Sequence, residues 1–421
     1  MLSGRRYRLA LSEEQVQQCQ MFGDICRAVW NTALDQRRQY VDRYMRGRDG
    51  EFCGYHLQAR ELAEAKTDES WLKAAPSHVL QQTLKDLDRS CRERGTFNVR
   101  WRAKNRWNPS LRFPAGTLIT VEKVNRTWGR AKLPKLGWVK FRMSRAIGGA
   151  IRSATVSCKS GHWFVSFLVE DGQLTPEKHA KPDTAVGVDR GVAVAATTSD
   201  GAFHDREFTT EGEKARYRRL QHKLARQKKG TANRRTTLAA VNRISSRAVN
   251  RRADFCAFTA NRLTARHGVV ALEELRTAKM TASAKGTIDA PGTRVRQKSG
   301  LNRAILDKGW HRLELALRTA ARRTGTRVEL VDPAYTSITC YSCKHVDAKS
   351  RKSQAVFACT ACGHTDHADV NAAKNILSAA GHAVPACGDL AGGRSTKQEP
   401  AGTREEVPHQ PAPELVGIPR P

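Results

Sequence analysis

Four cysteines in the last quarter of the chain have the spacing of metal ligands. Cys340 and Cys343 form one C-x2-C pair, Cys359 and Cys362 form a second, and 15 residues separate the two pairs. Two such pairs bring four thiolates to one tetrahedral zinc ion. The spacing therefore predicts a zinc ribbon with one structural Zn²⁺, which would supply the core that so short a segment lacks.

Three carboxylates flank this segment, each at the end of an apolar element. Asp189 ends one predicted strand, Glu273 ends a later one, and Asp369 opens the helix after the cysteines. Each has a structural explanation of its own: a turn residue, a polar strand end, and a helix N-terminal acid with Asp366 as its N-cap. If the three converged, their hard oxygens would hold two Mg²⁺ or Mn²⁺ ions about 4 Å apart.

A long stretch of positively charged residues without any acid lies between Asp189 and Glu273. From Lys214 to Ala253 there are 14 Lys or Arg residues and no acid. Such runs are usually solvated helix faces, but a run of this length favours contact with nucleic acid. The residues expected to bind are Arg216, Arg218, Arg219, Lys223, Arg226, Lys228 and Lys229.

The composition limits the classes of protein to which the chain can belong. Its 421 residues indicate two or three domains, and its formal net charge of +32 favours a polyanionic partner. The sequence has no apolar run of about 18 residues and no secretory signal, so no membrane partner is expected. Eleven scattered cysteines do not suggest disulfides, and we expect a reducing cytoplasm.

The elements that would position these residues follow from the periodicity. Alternation in the first ten residues predicts a strand, and Ser12 precedes a helical pattern that extends to about Met45. A second helical region covers 55–95. Residues 96–180 predict the short strands of a small β-barrel.

The second half predicts a different order of elements. Its predicted order is a hairpin (185–201), a third strand (203–208), helices (211–267), a buried strand (267–275), a basic loop (276–301), one amphipathic helix (302–325), a strand (327–337) and a final helix (369–381). The last 41 residues hold 7 of the 15 prolines and are expected to form a disordered tail.

The sequence resembles the TnpB family of insertion-sequence nucleases and the related compact type V CRISPR effectors. The resemblance covers about residues 1–380. Its most specific segments are GVDRG (187–191), LEEL (272–275), SGLNRAILDKGW (299–310), AYTSITCYSC (334–343) and the cysteine-to-helix segment that contains CGHTDHADVNAAKNIL (362–377).

The resemblance implies a multidomain fold of mixed α/β and β type. A ribonuclease H-like (RuvC) nuclease domain would contain the zinc ribbon as an insertion, and an N-terminal wedge β-barrel would carry a helical recognition insertion. The implied domains are the wedge (1–10 and 96–180), the recognition helices (11–95), the nuclease domain (183–337 and 367–380), the ribbon (338–366) and the tail (381–421).

The resemblance also assigns roles to the acids. The family's catalytic acids, which would bind the two Mg²⁺ (or Mn²⁺) ions, fall on Asp189, Glu273 and Asp369. Glu274 and Asp366 are the second choices, and Asn371 is expected to support Asp369. The implied activity is RNA-guided cleavage of DNA beside a short flanking motif, with guide RNA and double-stranded target DNA as partners. The protein would act as a monomer or homodimer in the prokaryotic cytoplasm or nucleoid.

Other functions stay open at this point. A guided DNA-binding repressor with weak cleavage would not need all three acids. A strand-transfer transposase on the same fold would need to recognise transposon ends, and we see no helix-turn-helix signature. The sequence does not separate a transposon protein from a CRISPR effector. Trp30, Trp71, Trp101 and Trp107 either stack on bases or, as we favour, lie in the core.

Overall fold

The computed structural model describes four stretches of the chain: 1–45, 53–104, 107–287 and 289–383. The predicted tail therefore lies, except for its first three residues, outside the described residues. The chain divides into two compact units, Met1–Leu174 and a second unit that begins at Thr175. Within the described stretches, no helix combines the length and apolar character that crossing a membrane requires.

The strands of the first unit form one antiparallel sheet. They are β1 (Leu2–Ala10), β2 (Ser110–Phe113), β3 (Thr120–Lys123), β4 (Trp128–Leu133), β5 (Gly137–Arg142), β6 (Ala150–Lys159) and β7 (His162–Glu170). Their order is β2-β6-β7-β1-β5-β4-β3, so the first strand of the chain lies in the middle of the sheet. The buried rings of Tyr7, Phe141 and Phe167 pack on one another with centroids 5.2 to 5.9 Å apart. The predicted strands of 96–180 are confirmed, and closure into a barrel stays a prediction.

Helices account for the rest of the first unit, as predicted. They are α1 (Glu13–Met45), α2 (Tyr55–Asp68), α3 (Ser70–Ala74) and α4 (Ser77–Arg94). α1 begins with a reciprocal cap: the Gln15 amide donates to Ser12 Oγ and the Ser12 amide donates to Gln15 Oε1, both at 3.2 Å. The apolar side of α1, including Phe22 and Leu34, is fully buried.

The second unit is built on a mixed sheet. Its strands are β8 (Ala185–Asp189), β9 (Ala196–Thr198), β10 (Phe203–His204), β11 (Val269–Glu273) and β12 (Arg327–Val331), in the order β10-β9-β8-β11-β12. β8, β11 and β12 are parallel, whereas β9 and β10 are antiparallel to their neighbours. The predicted hairpin is confirmed, and the third strand is shorter than predicted.

The helices of this unit correct two predictions. They are α5 (Glu211–Arg226), α6 (Ala232–Arg266), α7 (Thr277–Met280), α8 (Val295–Lys308) and α9 (Trp310–Thr324). The predicted single helix of 302–325 is two helices, because Gly309 has a left-handed φ of +74° that ends the first. The predicted loop of 276–301 contains α7 and the start of α8. Tertiary contacts stabilise that start: Asn302 donates to the carbonyls of Thr281 and Ala282 at 3.0 and 3.1 Å.

The cysteine segment and the last helix complete the unit. β13 (Val356–Ala358) and β14 (Thr365–His367) form a two-stranded sheet, and α10 (Ala368–Ala379) follows directly. α10 lies against β8, where a Cβ on Gly187 would come within 2.0 Å of the Ala373 carbonyl oxygen. Only glycine permits so close an approach of strand and helix backbones.

Candidate active site and metal centre

Strand alternation directs two of the predicted acids to the same face of the mixed sheet. Val188 and Leu272 belong to the core that contains residues of α6 and α9. Gly187 and Ala271 are paired across β8 and β11, and they face the opposite way, towards α10. Two residues further along each strand, Asp189 and Glu273 have the same direction as this pair. Both therefore lie at the carboxyl ends of parallel strands, on the α10 side.

The third acid is supplied by α10 itself. Asp369 lies in the first turn of this helix and is buried. Its Oδ2 atom would be 3.7 Å from a Cβ on Gly191, two residues beyond the end of β8. The three predicted acids are thus brought together by β8, β11 and α10.

The electrostatics of Asp189 reflect this convergence. Burial raises its pKa, and the negative charges of Glu273 and Asp369 raise it again, to about 7. The positive charge of Arg351 acts in the opposite direction. A carboxyl group with this pKa lacks sufficient positive charge around it, which is the condition that a bound cation would relieve.

Glu273 is held in place by the chain that leads into the cysteine segment. Its Oε1 atom accepts a hydrogen bond of 2.5 Å from Thr336 Oγ1. The Thr336 carbonyl in turn accepts one of 3.0 Å from Asn375 Nδ2 on α10. Burial raises the pKa of Glu273, and the Thr336 hydrogen bond and the charge of Arg190 lower it.

Two arginines at the site were not among the predicted residues. Arg351, from the cysteine segment, donates to Asp369 Oδ1 at 3.0 Å. Arg190 is buried, donates to the Glu273 carbonyl, and lies 3.4 Å from Glu314 Oε2. Arg190 stands inside the GVDRG segment, so its position beside the first acid was a usable signal, whereas nothing local in the sequence distinguishes Arg351.

The second-choice residues lie elsewhere. Glu274 is exposed and lies one residue beyond the end of β11. The predicted capping role of Asp366 is wrong: β14 runs through His367, and it is His367 Nδ1 that accepts from the Asp369 amide at 3.2 Å. Asp366 instead pairs with Lys374 at 2.7 Å. Asn371 bonds the backbone of Thr339 and Tyr341 in the cysteine segment, with no hydrogen bond to Asp369 among the described contacts.

The four cysteines form a compact group that could hold a metal ion. Their sulfur atoms all lie within 4.8 Å of one another. The Cys340–Cys362 and Cys343–Cys359 Sγ distances are 3.7 and 3.6 Å. A tetrahedral zinc ion with Zn–S bonds of about 2.3 Å separates its sulfurs by about 3.8 Å. The residues therefore fit zinc.

Each cysteine pair sits in a similar backbone turn. The Lys344 amide donates to the Cys340 carbonyl, and the Gly363 amide donates to the Cys359 carbonyl, at 2.9 and 3.2 Å. Lys344 and Gly363 both have left-handed φ values, 61° and 71°. Amides at Ala361 and Cys362 approach the Cys359 sulfur and lower its pKa to about 6, which favours the thiolate that binds metal.

The seven predicted nucleic-acid contacts are exposed on α5 and the turn after it. Among the described residues, none of the seven takes part in an ion pair. Other cations of the same run do: Lys214 pairs with Glu207 and Glu211, and Arg251 pairs with Glu213 at 2.5 Å. The run thus divides into a structural part and an unpaired, solvent-facing part.

Three family models match the chain. A model described as "Probable transposase" matches residues 158–284, one described as "Cas12f1-like, TNB domain" matches 310–376, and one described as "Helix-turn-helix domain" matches 1–46. The last match contradicts the prediction that the sequence has no helix-turn-helix signature. In the described part of this stretch, 1–45, the structure has a strand followed by one uninterrupted helix.

Relatives extend the match over nearly the whole chain. "Putative RNA-guided DNA endonuclease InsQ" of Escherichia coli (strain K12) is 37% identical over 393 residues, 91% of this chain and 94% of that protein. "Putative RNA-guided DNA endonuclease" of Streptomyces pristinaespiralis is 29% identical over 427 residues, 99% of this chain and 98% of that protein.

A solved structure shares the fold. The structure of a Cas12f1–sgRNA–target DNA complex matches with a TM-score of 0.51 at 13% identity, over 87% of this chain and 83% of that chain. The mixed α/β multidomain architecture is therefore that of the compact effectors. On the sequence identity and coverage of its relatives, this chain belongs to the TnpB family of insertion-sequence proteins, to which the compact type V CRISPR effectors are related.

Proposed function

We propose that the protein is an RNA-guided DNA endonuclease that hydrolyses target DNA beside a short flanking motif. The proposal rests on one observation above all: Asp189, Glu273 and Asp369 come from three separate elements and meet closely enough that the charges of Glu273 and Asp369 add to the effect of burial in raising the pKa of Asp189 to about 7. Two relatives are described as putative RNA-guided DNA endonucleases, which supports DNA as the substrate. The family includes transposon-encoded and CRISPR-associated members, and the proposal covers both.

The second unit would be a ribonuclease H-like nuclease domain. Its strand order, with three parallel strands and an antiparallel extension on one edge, supports this assignment. Residues 338–366 would be a zinc ribbon inserted before α10, with one Zn²⁺ on Cys340, Cys343, Cys359 and Cys362. In the first unit, the antiparallel sheet would be the wedge and the helices α1 to α4 the recognition insertion.

The three carboxylates would bind two Mg²⁺ (or Mn²⁺) ions. These ions, when bound, supply an activated water and stabilise the leaving oxygen of a phosphodiester. The hard oxygens of the acids suit such cations. Thr336 would fix the orientation of the Glu273 carboxylate through its 2.5 Å hydrogen bond. Arg351 neutralises Asp369 and stands where it could also contact a phosphate of the strand being cut.

Sequence selection would come from a guide RNA. The exposed cations of α5 can hold a nucleic-acid backbone, and contacts to the backbone carry no sequence information. Base pairing by a guide would supply that reading, while the protein recognises a short flanking motif. The guide RNA and the double-stranded target are therefore proposed as partners of this chain.

The test is reconstitution from the protein's own RNA. The RNA that co-purifies with the chain is sequenced, and DNA that carries its complement next to a randomised flank is incubated with the complex and Mg²⁺. Cleavage dependent on complementarity and on a restricted set of flanks is the expected result. Guided binding without cleavage would replace the proposal with the repressor function, and strand joining would replace it with transposition.

A further inference from the structure

Two exposed aromatic rings of the first unit, in the segment that follows α4, lie near the same arginine. Phe97 is 59% exposed and Trp101 is 45% exposed, although large aromatic side chains are normally buried. Two of the four tryptophans considered above, Trp30 and Trp107, do pack in or against the core. The prediction of a core position is therefore wrong for Trp71 and Trp101, and the exposure of Trp101 requires another explanation.

One arginine lies over both rings. The Arg38 guanidinium carbon is 4.8 Å from the ring centroid of Trp101 and 6.0 Å from that of Phe97. Its Nη2 atom donates to the Val99 carbonyl at 2.8 Å and to the Phe97 carbonyl at 3.3 Å. Its Nε atom is buried and has no hydrogen-bond partner among the described residues. Arg38 thus covers one side of the indole, and a large part of the ring still meets solvent.

The segment that carries the rings is fixed to α1 rather than free. The Arg102 amide donates to Asn31 Oδ1 at 2.9 Å, and Asn31 Nδ2 donates to the Arg102 carbonyl at 3.2 Å. The Arg102 guanidinium lies 3.7 Å from the ring centroid of Trp30 and 4.8 Å from that of Trp107. The exposed rings therefore have a rigid support, which lowers the entropy cost of binding a flat ligand.

The charge around the rings is positive. Arg94, Arg100 and Lys104 are exposed, and none of them forms an ion pair with any residue that the structure describes. Glu93 is the only acid between positions 89 and 106 of the sequence. Exposed aromatic rings among unpaired cations are the combination that binds single-stranded nucleic acid, with bases on the rings and phosphates on the cations.

We infer that Phe97, Trp101 and Arg38 form a stacking platform for an unpaired nucleobase. The ligand is a base on a single-stranded or unwound phosphodiester strand, and it stacks on the open side of Trp101 while Arg94, Arg100 and Lys104 lie near the backbone. The inference rests on the proposed function in so far as that function brings RNA and opened DNA to the chain. It adds a binding site in the first unit, apart from the three acids and the cations of α5.

Photocrosslinking tests the platform directly. The full chain is irradiated with 5-iodouracil-substituted single-stranded DNA in one arm and with 5-iodouracil-substituted RNA in the other. Salt is raised to suppress binding through phosphates alone. Crosslinks on the peptide that contains Phe97 or Trp101 are expected, and the arm in which they appear identifies the strand that supplies the base. Absence of this peptide from the crosslinks of both arms would overturn the inference.

Substitutions separate stacking from charge. Trp101→Ala should weaken binding of the crosslinking strand about 5- to 150-fold, while the salt dependence of binding keeps its slope because no phosphate contact is lost. Trp101→Phe should restore most of the affinity. The matched control is Trp71→Ala: Trp71 is 47% exposed, but its Nε1 donates to Glu69 at 2.7 Å, and no cation lies over its ring among the described contacts. Equal losses in Trp71→Ala and Trp101→Ala would contradict a specific platform.

Failure of the platform and failure of the nuclease proposal would give different experimental results. If the wild-type complex cleaves DNA but Phe97 and Trp101 do not crosslink, only the platform is rejected. If these residues crosslink but the wild-type complex does not cleave, the platform stands and the nuclease proposal is rejected.

Discussion

Replacing Gly187 with alanine should push α10 away from β8 and thereby move Asp369 away from Asp189. The added Cβ would lie 2.0 Å from the Ala373 carbonyl oxygen and 2.9 Å from the Leu377 amide nitrogen, whereas real Cβ atoms essentially never approach closer than 3.0 Å. Both neighbours are helix backbone, which cannot rotate aside, so α10 must move by about 1 Å. Because Asp369 is carried by α10, it moves relative to Asp189.

The size of the effect follows from that displacement. Overpacking of this kind costs about 1–3 kcal/mol of unfolding free energy, which for a unit of this size lowers Tm by roughly 2–12 °C. A displacement of about 1 Å at a catalytic site costs about 100-fold in rate. We therefore expect Gly187→Ala to cleave guided target DNA about 100-fold more slowly than wild type at a temperature where both remain folded.

The assay combines thermal unfolding with single-turnover cleavage of guided target DNA. The control is Gly212→Ala in the first turn of α5, where a Cβ would meet no atom within 4 Å. This variant should cleave as wild type does and should not lose stability, because alanine is favoured over glycine in a helix. If Gly187→Ala also retained wild-type Tm and cleavage, the close packing of α10 on β8, and the positioning of Asp369 that depends on it, would be refuted.

Three further predictions concern the metals, the charges and the pH. The chain should carry about one zinc per molecule, and Cys359→Ser with Cys362→Ser should lose it and cleave more weakly; unchanged zinc in elemental analysis would contradict the ribbon. Alanine at Arg216, Arg218 and Arg219 should weaken nucleic-acid binding and reduce the salt slope by about one unit per lost phosphate contact, which a titration across salt concentrations measures; the wild-type slope would mean a solvated face. Because the pKa of Asp189 is raised from 3.8 to about 7, folding favours its protonated form. The unfolding free energy that this proton contributes is fully present below about pH 4 and is lost as the pH rises through 7. The metal-free wild-type chain should therefore lose stability over this pH range relative to Asp189→Asn. If the unfolding free energies of the two proteins changed in parallel with pH, the raised pKa would be contradicted.

The sequence was sufficient to predict the strands and the helix that position the three acids, but not the side-chain contacts that the acids make. Periodicity was sufficient for β8, β11 and α10, because each has a regular apolar pattern with an acid at one end. The break at Gly309 was missed because the apolar spacing continues across it, and one left-handed residue is enough to end a helix. Arg351 and Thr336 were missed because they reach the acids from the cysteine segment and from the chain that leads into it, and only the folded chain brings these residues to β11 and α10. Alternation on β11 explains why Glu273 faces α10, whereas Glu274 is exposed because it lies beyond the end of the strand.

The central claim is that Asp189, Glu273 and Asp369 form one nuclease site. The most direct test measures cleavage and binding of the same guided target DNA in Mg²⁺ for Asp189→Ala, with Glu274→Ala and Asp366→Ala as neighbouring-acid controls. We predict that Asp189→Ala binds the target as wild type does and does not cleave it, because removal of one carboxylate leaves the site unable to hold both ions. The two controls should retain substantial cleavage. Full cleavage by Asp189→Ala would contradict the account.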